Sequence, residues 1–392
     1  MSRSMMLRFL AVFSLIAVLL CGTTFYFLKK RLGLAPKHNL WMAILFAFIA
    51  IVMVLGPLVY RNSSTSVDAL GQKALQYTQY LLMGWVAINF MVFGILEIIQ
   101  LILRPFDPAK RIFLTEGLAR GIVAGTTLAA FGGWIEAATK PNITPVTLQL
   151  KTLPKSFDGI TIVQISDVHI GPLLHREFLE GIVDQVMSLK PDLIFITGDL
   201  VDGSVSQLKA QVEPLLRLKA KDGVYFCTGN HEFYSGVDEW IDHLEHMGIH
   251  VFKNSNVVLN RKSESGSVEK LLIAGVHDWH GDQSGEQYRS DCAKAALTNE
   301  LAPCKILLAH NPFSIAQATE AGFHLQVSGH THAGQFYPFV FLVKLKLKHS
   351  EGWYQINDQT QLYVNRGTGY WGPPNRLGKH SEITHFTLKS GA

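Results

Sequence analysis

Cysteine is scarce in this 392-residue chain, four in all, and none stands at a spacing that metal or redox chemistry needs. Cys21 lies inside an apolar run and Cys227 closes a strand-like run, while Cys292 and Cys304 form neither a Cys-x-x-Cys pair nor part of a zinc knuckle. A Cys292–Cys304 bridge would require an oxidising compartment, and free thiols are the expectation. Charge is scarce as well. Charged residues make up 17% of the chain, the formal net charge is +4, and much of the excess sits beside apolar runs rather than on one basic face. That balance excludes nucleic acid as an expected partner. Apolar side chains are plentiful, at 48%, but unevenly placed. Residues 1–140 are dominated by long apolar runs, whereas the rest holds most of the acids and histidines and is long enough to bury its own core.

A helix that crosses a bilayer needs roughly 20 apolar residues. Four segments approach that length: 9–28, 40–60, 80–103 and, more weakly, 121–138. Lys29, Lys30 and Arg31 bound the first, Trp41 and Tyr60 the second, and Tyr80 and Arg104 the third, all residues suited to the head-group interface. Segment 121–138 is rich in Gly and Ala and carries Glu136, so it reads as a fourth span or as a re-entrant or packed helix. The first segment follows Arg3 and Arg8 as a signal peptide would. No small-x-small cleavage site follows it, however, and Leu20 before Cys21 spoils lipoprotein processing. Glu97 and Gln100 share a helical face and are expected to join helices rather than to relay ions. The expectation is an integral, multi-pass protein whose first partner is the bilayer.

Basic residues cluster after the first segment (Lys29, Lys30, Arg31, Lys37) and after the third (Arg104, Lys110, Arg111, Arg120), more than in the tail (Arg3, Arg8) or the second loop (Arg61, Lys73). The positive-inside bias places the first and third loops in the cytoplasm. With four spans, the carboxy-terminal half is then extracytoplasmic.

Past Pro141 the pattern changes to short β-rich runs at 160–165, 193–197, 224–228, 271–276, 306–309 and 325–328, with helical periodicity over 177–189 and 240–247. This is an α/β pattern with buried sheets. Five of the runs end in metal-ligand chemistry: Asp167-Val168-His169, Gly198-Asp199-Leu200-Val201-Asp202-Gly203, Gly229-Asn230-His231-Glu232, His310-Asn311-Pro312, and Gly329-His330-Thr331-His332-Ala333-Gly334-Gln335. Each piece alone is more often turn chemistry or a satisfied histidine. Five in succession at strand ends are not, because loops at the carboxyl edge of an α/β sheet converge on one crevice.

In that order the motifs resemble the calcineurin-like metallophosphoesterases over 147–388, and the apolar leader resembles their membrane-associated phosphodiesterase subgroup. The resemblance implies a four-layer α/β/β/α sandwich after the helical membrane region. It also implies two divalent ions: Asp167, His169 and His332 hold one, Asn230, His310 and His330 the other, and Asp199 bridges both. Mixed nitrogen and oxygen donors suit manganese, iron or zinc. By the same resemblance a bridging hydroxide attacks the phosphorus in line. His231 is the catalytic histidine, stabilising the transition state or protonating the departing oxygen. Asp202 is expected behind the ligands. Outside this set, His277 and Asp278 are candidate substrate contacts or plain loop, and Arg366 is a candidate phosphate contact or a turn arginine.

In 336–347 leucines alternate with Lys344, Lys346 and Lys348, which would give an extended segment one apolar and one cationic side. That surface would suit lipid, although a buried strand with solvated lysines has the same pattern. The expected substrate is a phosphodiester or pyrophosphate in a lipid or nucleotide-linked lipid. The competing readings are a phosphomonoesterase or phosphoprotein phosphatase, and a non-catalytic membrane scaffold with a phosphoesterase fold. The intact ligand set argues against the last.

Overall fold

The computed structural model describes residues 3–62, 70–102 and 119–391. Its amino-terminal part holds four helices among the described residues: α1 (Arg3–Leu32), α2 (Pro36–Asn62), α3 (Leu70–Ile102) and α4 (Ala119–Ala137). Ala17, Cys21, Phe46, Ile49, Met53, Val86 and Phe93 pack between the first three. Leu15, Leu19, Phe48, Ile51 and Ile98 point outward, as lipid-facing positions of a bundle must. Three segments are long and apolar enough to cross a membrane: Ala11–Leu32, Pro36–Gly56 and Ala74–Ile102.

Helix α4 is not among those three, because Arg120, Glu136 and four glycines dilute its hydropathy. It packs on α3, where Trp85 Nε1 donates to Thr127 Oγ1 (2.9 Å) and Thr126 Oγ1 to Asn89 Oδ1 (2.9 Å). Glu97 does join helices: its carboxylate pairs with Lys30 (3.1 Å) and Arg31 (2.7 Å) across α1 and α3. Arg104, Lys110 and Arg111, on which the orientation partly rested, lie outside the described residues.

Twelve strands follow: β1 (Asn142–Leu150), β2 (Thr161–Ile165), β3 (Leu193–Thr197), β4 (Val224–Cys227), β5 (His250–Val251), β6 (Ser255–Lys262), β7 (Val268–Gly275), β8 (Cys304–Leu308), β9 (Leu325–Ser328), β10 (Gly352–Gln355), β11 (Gln361–Val364) and β12 (Glu382–Ser390). They form two six-stranded sheets, in the orders β1-β12-β2-β3-β4-β5 and β10-β11-β9-β8-β7-β6. The period-2 alternation of a strand decides the layers. Ile162, Leu193, Phe195 and Tyr225 meet Leu271, Ile273, Ile306 and Leu325 between the sheets. Their neighbours Val163, Ile165, Ile194 and Phe226 face helices Arg176–Ser188 and Val237–His246. On the far side Leu272, Ala274 and Leu307 pack with Cys292, Ala295 and Ala318 of two short helices. The result is the expected helix, sheet, sheet, helix sandwich. Each fully buried aliphatic or phenyl group contributes roughly 1.5–3 kcal/mol of transfer free energy.

Strands β2-β3-β4 and β7-β8-β9 run parallel within their sheets, so their carboxyl ends lie along one edge of each. Near that edge the buried Gln164 Nε2 donates to Thr197 Oγ1 (2.8 Å) and to the Ser328 carbonyl (2.9 Å), locking the two sheets together. Strand β1 pairs in parallel with β12, so the sheet begins at Asn142, ahead of the expected Thr147. The four cysteines are buried and free.

Segment 336–347 is not extended. Phe339–Lys346 is a short helix. It lies outside both sheets, and with no strand edge to pair with, a helix satisfies its backbone groups locally. Phe341 and Leu345 stand 63% and 86% exposed, and Lys344 pairs with Glu351 (3.0 Å).

Candidate metal centre

The loops that leave β2, β3 and β9 turn sharply. Asp167 (φ 52°), His169 (54°), Asp199 (51°), His330 (73°) and His332 (48°) all occupy the left-handed region. For a residue with a Cβ this costs of order 1–3 kcal/mol, and it persists where surrounding contacts enforce it. Here they do. Asp167 N–H donates to the Gly198 carbonyl (3.0 Å), His169 N–H to Asp199 O (3.1 Å), and Gly369 N–H to Asp167 O (2.9 Å). A Cβ at Gly229 would overlap the Asp199 carboxylate, and one at Gly329 would overlap Ser166 Oγ and Asp167 Oδ2, so these turns close only on glycine.

The side chains so aimed gather into two adjoining groups. In one, His169 Nε2 lies 3.1 Å from His332 Nε2, and His332 Nε2 lies 3.5 Å from Asp167 Oδ1. In the other, His310 Nε2 lies 3.2 Å from His330 Nδ1 and 3.1 Å from Asp199 Oδ2. Asp199 Oδ2 is also 3.9 Å from His169 Nε2, so this carboxylate stands between the groups. Asp167 with His169 and His332, and Asp199 with His310 and His330, each bring ligand atoms within 4.8 Å of one another.

These groups fit cations. Burial, then the neighbouring His310, brings the His330 pKa down to about 4. Burial, His169 and Arg376 hold His332 well below the usual imidazole range. The facing ring nitrogens, 3.1 and 3.2 Å apart, stand at a separation that suits a ring-to-ring hydrogen bond and equally two donors on one ion. Two nitrogens on one ion, at bonds of about 2.0–2.1 Å, are separated by about 3 Å. Asn230 Oδ1 is buried without a hydrogen-bond partner, and an uncharged acceptor in that state fits a metal ligand.

Around the groups lie the residues that orient them. Asp202 Oδ1 accepts from His169 Nδ1 (3.1 Å) and His231 Nδ1 (2.5 Å), turning both Nε2 atoms toward the site. Burial lowers the His231 pKa, but Asp199 and Asp202 outweigh it and raise it to about 9. Asp199 is buried too, yet His310 and His231 hold it well below the usual carboxylate range. His310 Nδ1 donates to Thr197 O (2.8 Å), which turns its Nε2 toward Asp199 Oδ2 and His330.

Two residues escaped the sequence reading. Glu232, one turn into helix Asn230–Ser235, accepts from the backbone N–H groups of Asp199 (3.0 Å), Leu200 (2.8 Å) and Gly229 (2.7 Å), fixing two ligand loops at once. Burial and the Asp199 charge push it up to about 7. Its place in Gly-Asn-His-Glu, three residues past Gly229, was a legible capping signal. Arg376 is fully buried. It donates to His332 Nδ1 (3.1 Å) and to the carbonyls of His332 (3.3 Å), Arg366 (2.7 Å) and Gly369, while its own N–H donates to Gly133 O of α4 (2.9 Å). Nothing local in Gly-Pro-Pro-Asn-Arg announces it.

The outlying candidates divide. Asp278 is buried, burial raises its pKa, and its Oδ2 has no hydrogen-bond partner. His277 meets Thr228 Oγ1 (3.3 Å) and Phe233, and burial lowers it to about 4. Arg366 instead pairs with Glu351 (3.2 Å) and Glu382 (3.7 Å).

The family of calcineurin-like phosphoesterases matches residues 160–334. A Danio rerio protein described as a transmembrane protein with metallophosphoesterase domain is 37% identical over 287 residues, 70% of this chain and 65% of that protein. An uncharacterised metallophosphoesterase of Helicobacter pylori is 30% identical over 96% of this chain and 97% of its own length. One from Campylobacter jejuni is 28% identical over 96% and 98%.

Proposed function

The chain belongs to the calcineurin-like metallophosphoesterases, metal-dependent phosphoester hydrolases, and from that premise we propose that it cleaves a phosphodiester or pyrophosphate of a membrane-associated substrate. The observation that carries the proposal is the gathering of Asp167, His169 and His332, and of Asp199, His310 and His330, with the partnerless buried Asn230 Oδ1 following the next strand end. We assign Asp167, His169 and His332 to one ion, Asn230, His310 and His330 to the other, and Asp199 to both, with manganese, iron or zinc as the metals suited to such donors. Two such ions supply Lewis-acid polarisation of phosphoryl oxygens and acidification of a water.

The chain's own residues do the rest. Asp202 accepts the Nδ1 proton of His231, which turns Nε2 toward the site, where a protonated ring would meet the departing oxygen. Glu232 and the glycine turns hold the ligand loops in register, which keeps the reacting groups positioned. Catalysis is assigned to the half spanning 147–388, and anchorage to 1–140.

Helix Phe339–Lys346 presents Phe341, Leu342 and Leu345 beside lysines, which supports contact with an anionic lipid surface. The catalytic half meets the α3 amino-terminal end through Tyr77 Oη, which donates to Leu173 O (2.9 Å). Lys29, Lys30 and Arg31 close α1 at its other end, across α2, from that contact. With the positive-inside bias, this supports an extracytoplasmic catalytic half, which requires α4 to carry the chain back across the bilayer.

The test is hydrolysis of bis(p-nitrophenyl) phosphate and p-nitrophenyl phosphate by the full-length protein supplied with manganese. Diester turnover should dominate and fall by about 10³-fold or more in Asp199→Asn. Preference for the monoester would replace the diester reading with a phosphatase.

A further inference from the structure

The membrane bundle and the catalytic half do not close fully on each other. Between them lies a recess of about 280 Å³, walled by Gly56 of α2 and Gln76 and Tyr80 of α3 on one side, and by His231, Tyr234 and Trp371 on the other. His231 therefore belongs both to the metal centre and to the recess. The Tyr234 and Trp371 rings stand 5.3 and 5.5 Å from the His231 ring, and both are about half exposed, 52% and 50%. Amphipathic aromatics of that kind settle at a membrane surface.

One wall of the recess is polar in an unsatisfied way. Gln76 is 3% exposed, yet its Oε1 has no hydrogen-bond partner. Three residues further along α3, Gly56 of α2 lets the helices close: any Cβ there would overlap the Gln79 amide. A buried amide oxygen is costly unless a donor arrives from elsewhere. The volume suits a head group and is too small for acyl chains.

We propose that this recess is the head-group subsite of the enzyme. It takes a lipid phosphodiester whose head group carries a hydrogen-bond donor, a hydroxyl or an amine, which meets Gln76 Oε1. The phosphate lies at the metal centre beyond His231, and the chain leaves past Trp371 into the bilayer. The membrane helices thus form part of the active site as well as its anchor. This rests on the diesterase reading above, and its test does not depend on turnover.

Ser235→Cys places a thiol on the rim of the recess in full-length protein whose native cysteines are all buried. In nanodiscs, maleimide labelling of that thiol should be slowed by lysophosphatidylglycerol. At least tenfold more of the deacylated glycerophosphodiester should be needed, and inorganic phosphate should give no protection. Adding Gln76→Leu should raise the half-protecting lysolipid concentration about tenfold. In the native-cysteine background, Gln76→Leu should not lower the melting temperature, which separates loss of the subsite from loss of the fold. Equal protection by the lysolipid and its deacylated counterpart would overturn the lipid assignment. No protection by either, or protection unchanged by Gln76→Leu, would overturn the subsite. Failure of the wild type to cleave any diester, with lysolipid protection intact, would overturn the diesterase reading and leave the subsite standing.

Discussion

The two halves of the metal centre are held by different parts of the molecule. His310 and His330 rest on the sandwich interior, through Thr197 O and the Asp167 carboxylate that accepts His330 N–H (2.9 Å). His332 rests on Arg376, whose coil is pinned to α4 through Gly133 O and, by Asn375 Nδ2, Ala130 O (3.2 Å). His310 and His330 are thus referred to the sheets, and His332, through Arg376, to helix α4. A disturbance of the bundle should reach the His332 half first.

Removing Arg376 should break that comparison most strongly. Arg376→Met leaves His332 without its donor and several buried carbonyls unpaired, so one ion should bind about 10–100-fold more weakly while the other is retained. Metal stoichiometry by atomic absorption at graded free manganese would read this, and equal loss of both ions would show that the halves are not independently held. A smaller effect is expected from Glu232→Gln. It weakens the acceptor for three backbone donors on the Asp199 and Asn230 loops and should cost about 1–3 kcal/mol, read by denaturant unfolding. The smallest belongs to Arg366→Ala. Its partly exposed pairs with Glu351 and Glu382 contribute about 0–1 kcal/mol, and diester hydrolysis should stay within about twofold. A loss beyond tenfold there would return Arg366 to the substrate.

The seven assigned ligands were legible because each follows a short apolar strand, and residues at the carboxyl edge of parallel strands have one place to go. Glu232 was legible in type but not in role, since a capping glutamate that also braces a second loop depends on a contact across 33 residues of chain. Arg376 was not legible, because its partners come from a left-handed turn, a distant coil and helix α4. The Leu and Lys alternation near residue 345 misled because a period of two signals a strand only where a neighbouring strand is available. The weak fourth apolar segment is helix α4, whose Gly133 carries the hydrogen bond that seats Arg376.

Five assigned ligands in left-handed backbone conformation have a consequence for how such a protein can decay. At each of them glycine would relieve backbone strain while erasing a ligand, yet it would also strand the groups that the side chain holds, as Asp167 holds His330 N–H. Strain relief and lost contacts therefore oppose each other at these positions, and an inert descendant lies closer in stability than the loss of five buried side chains alone would place it.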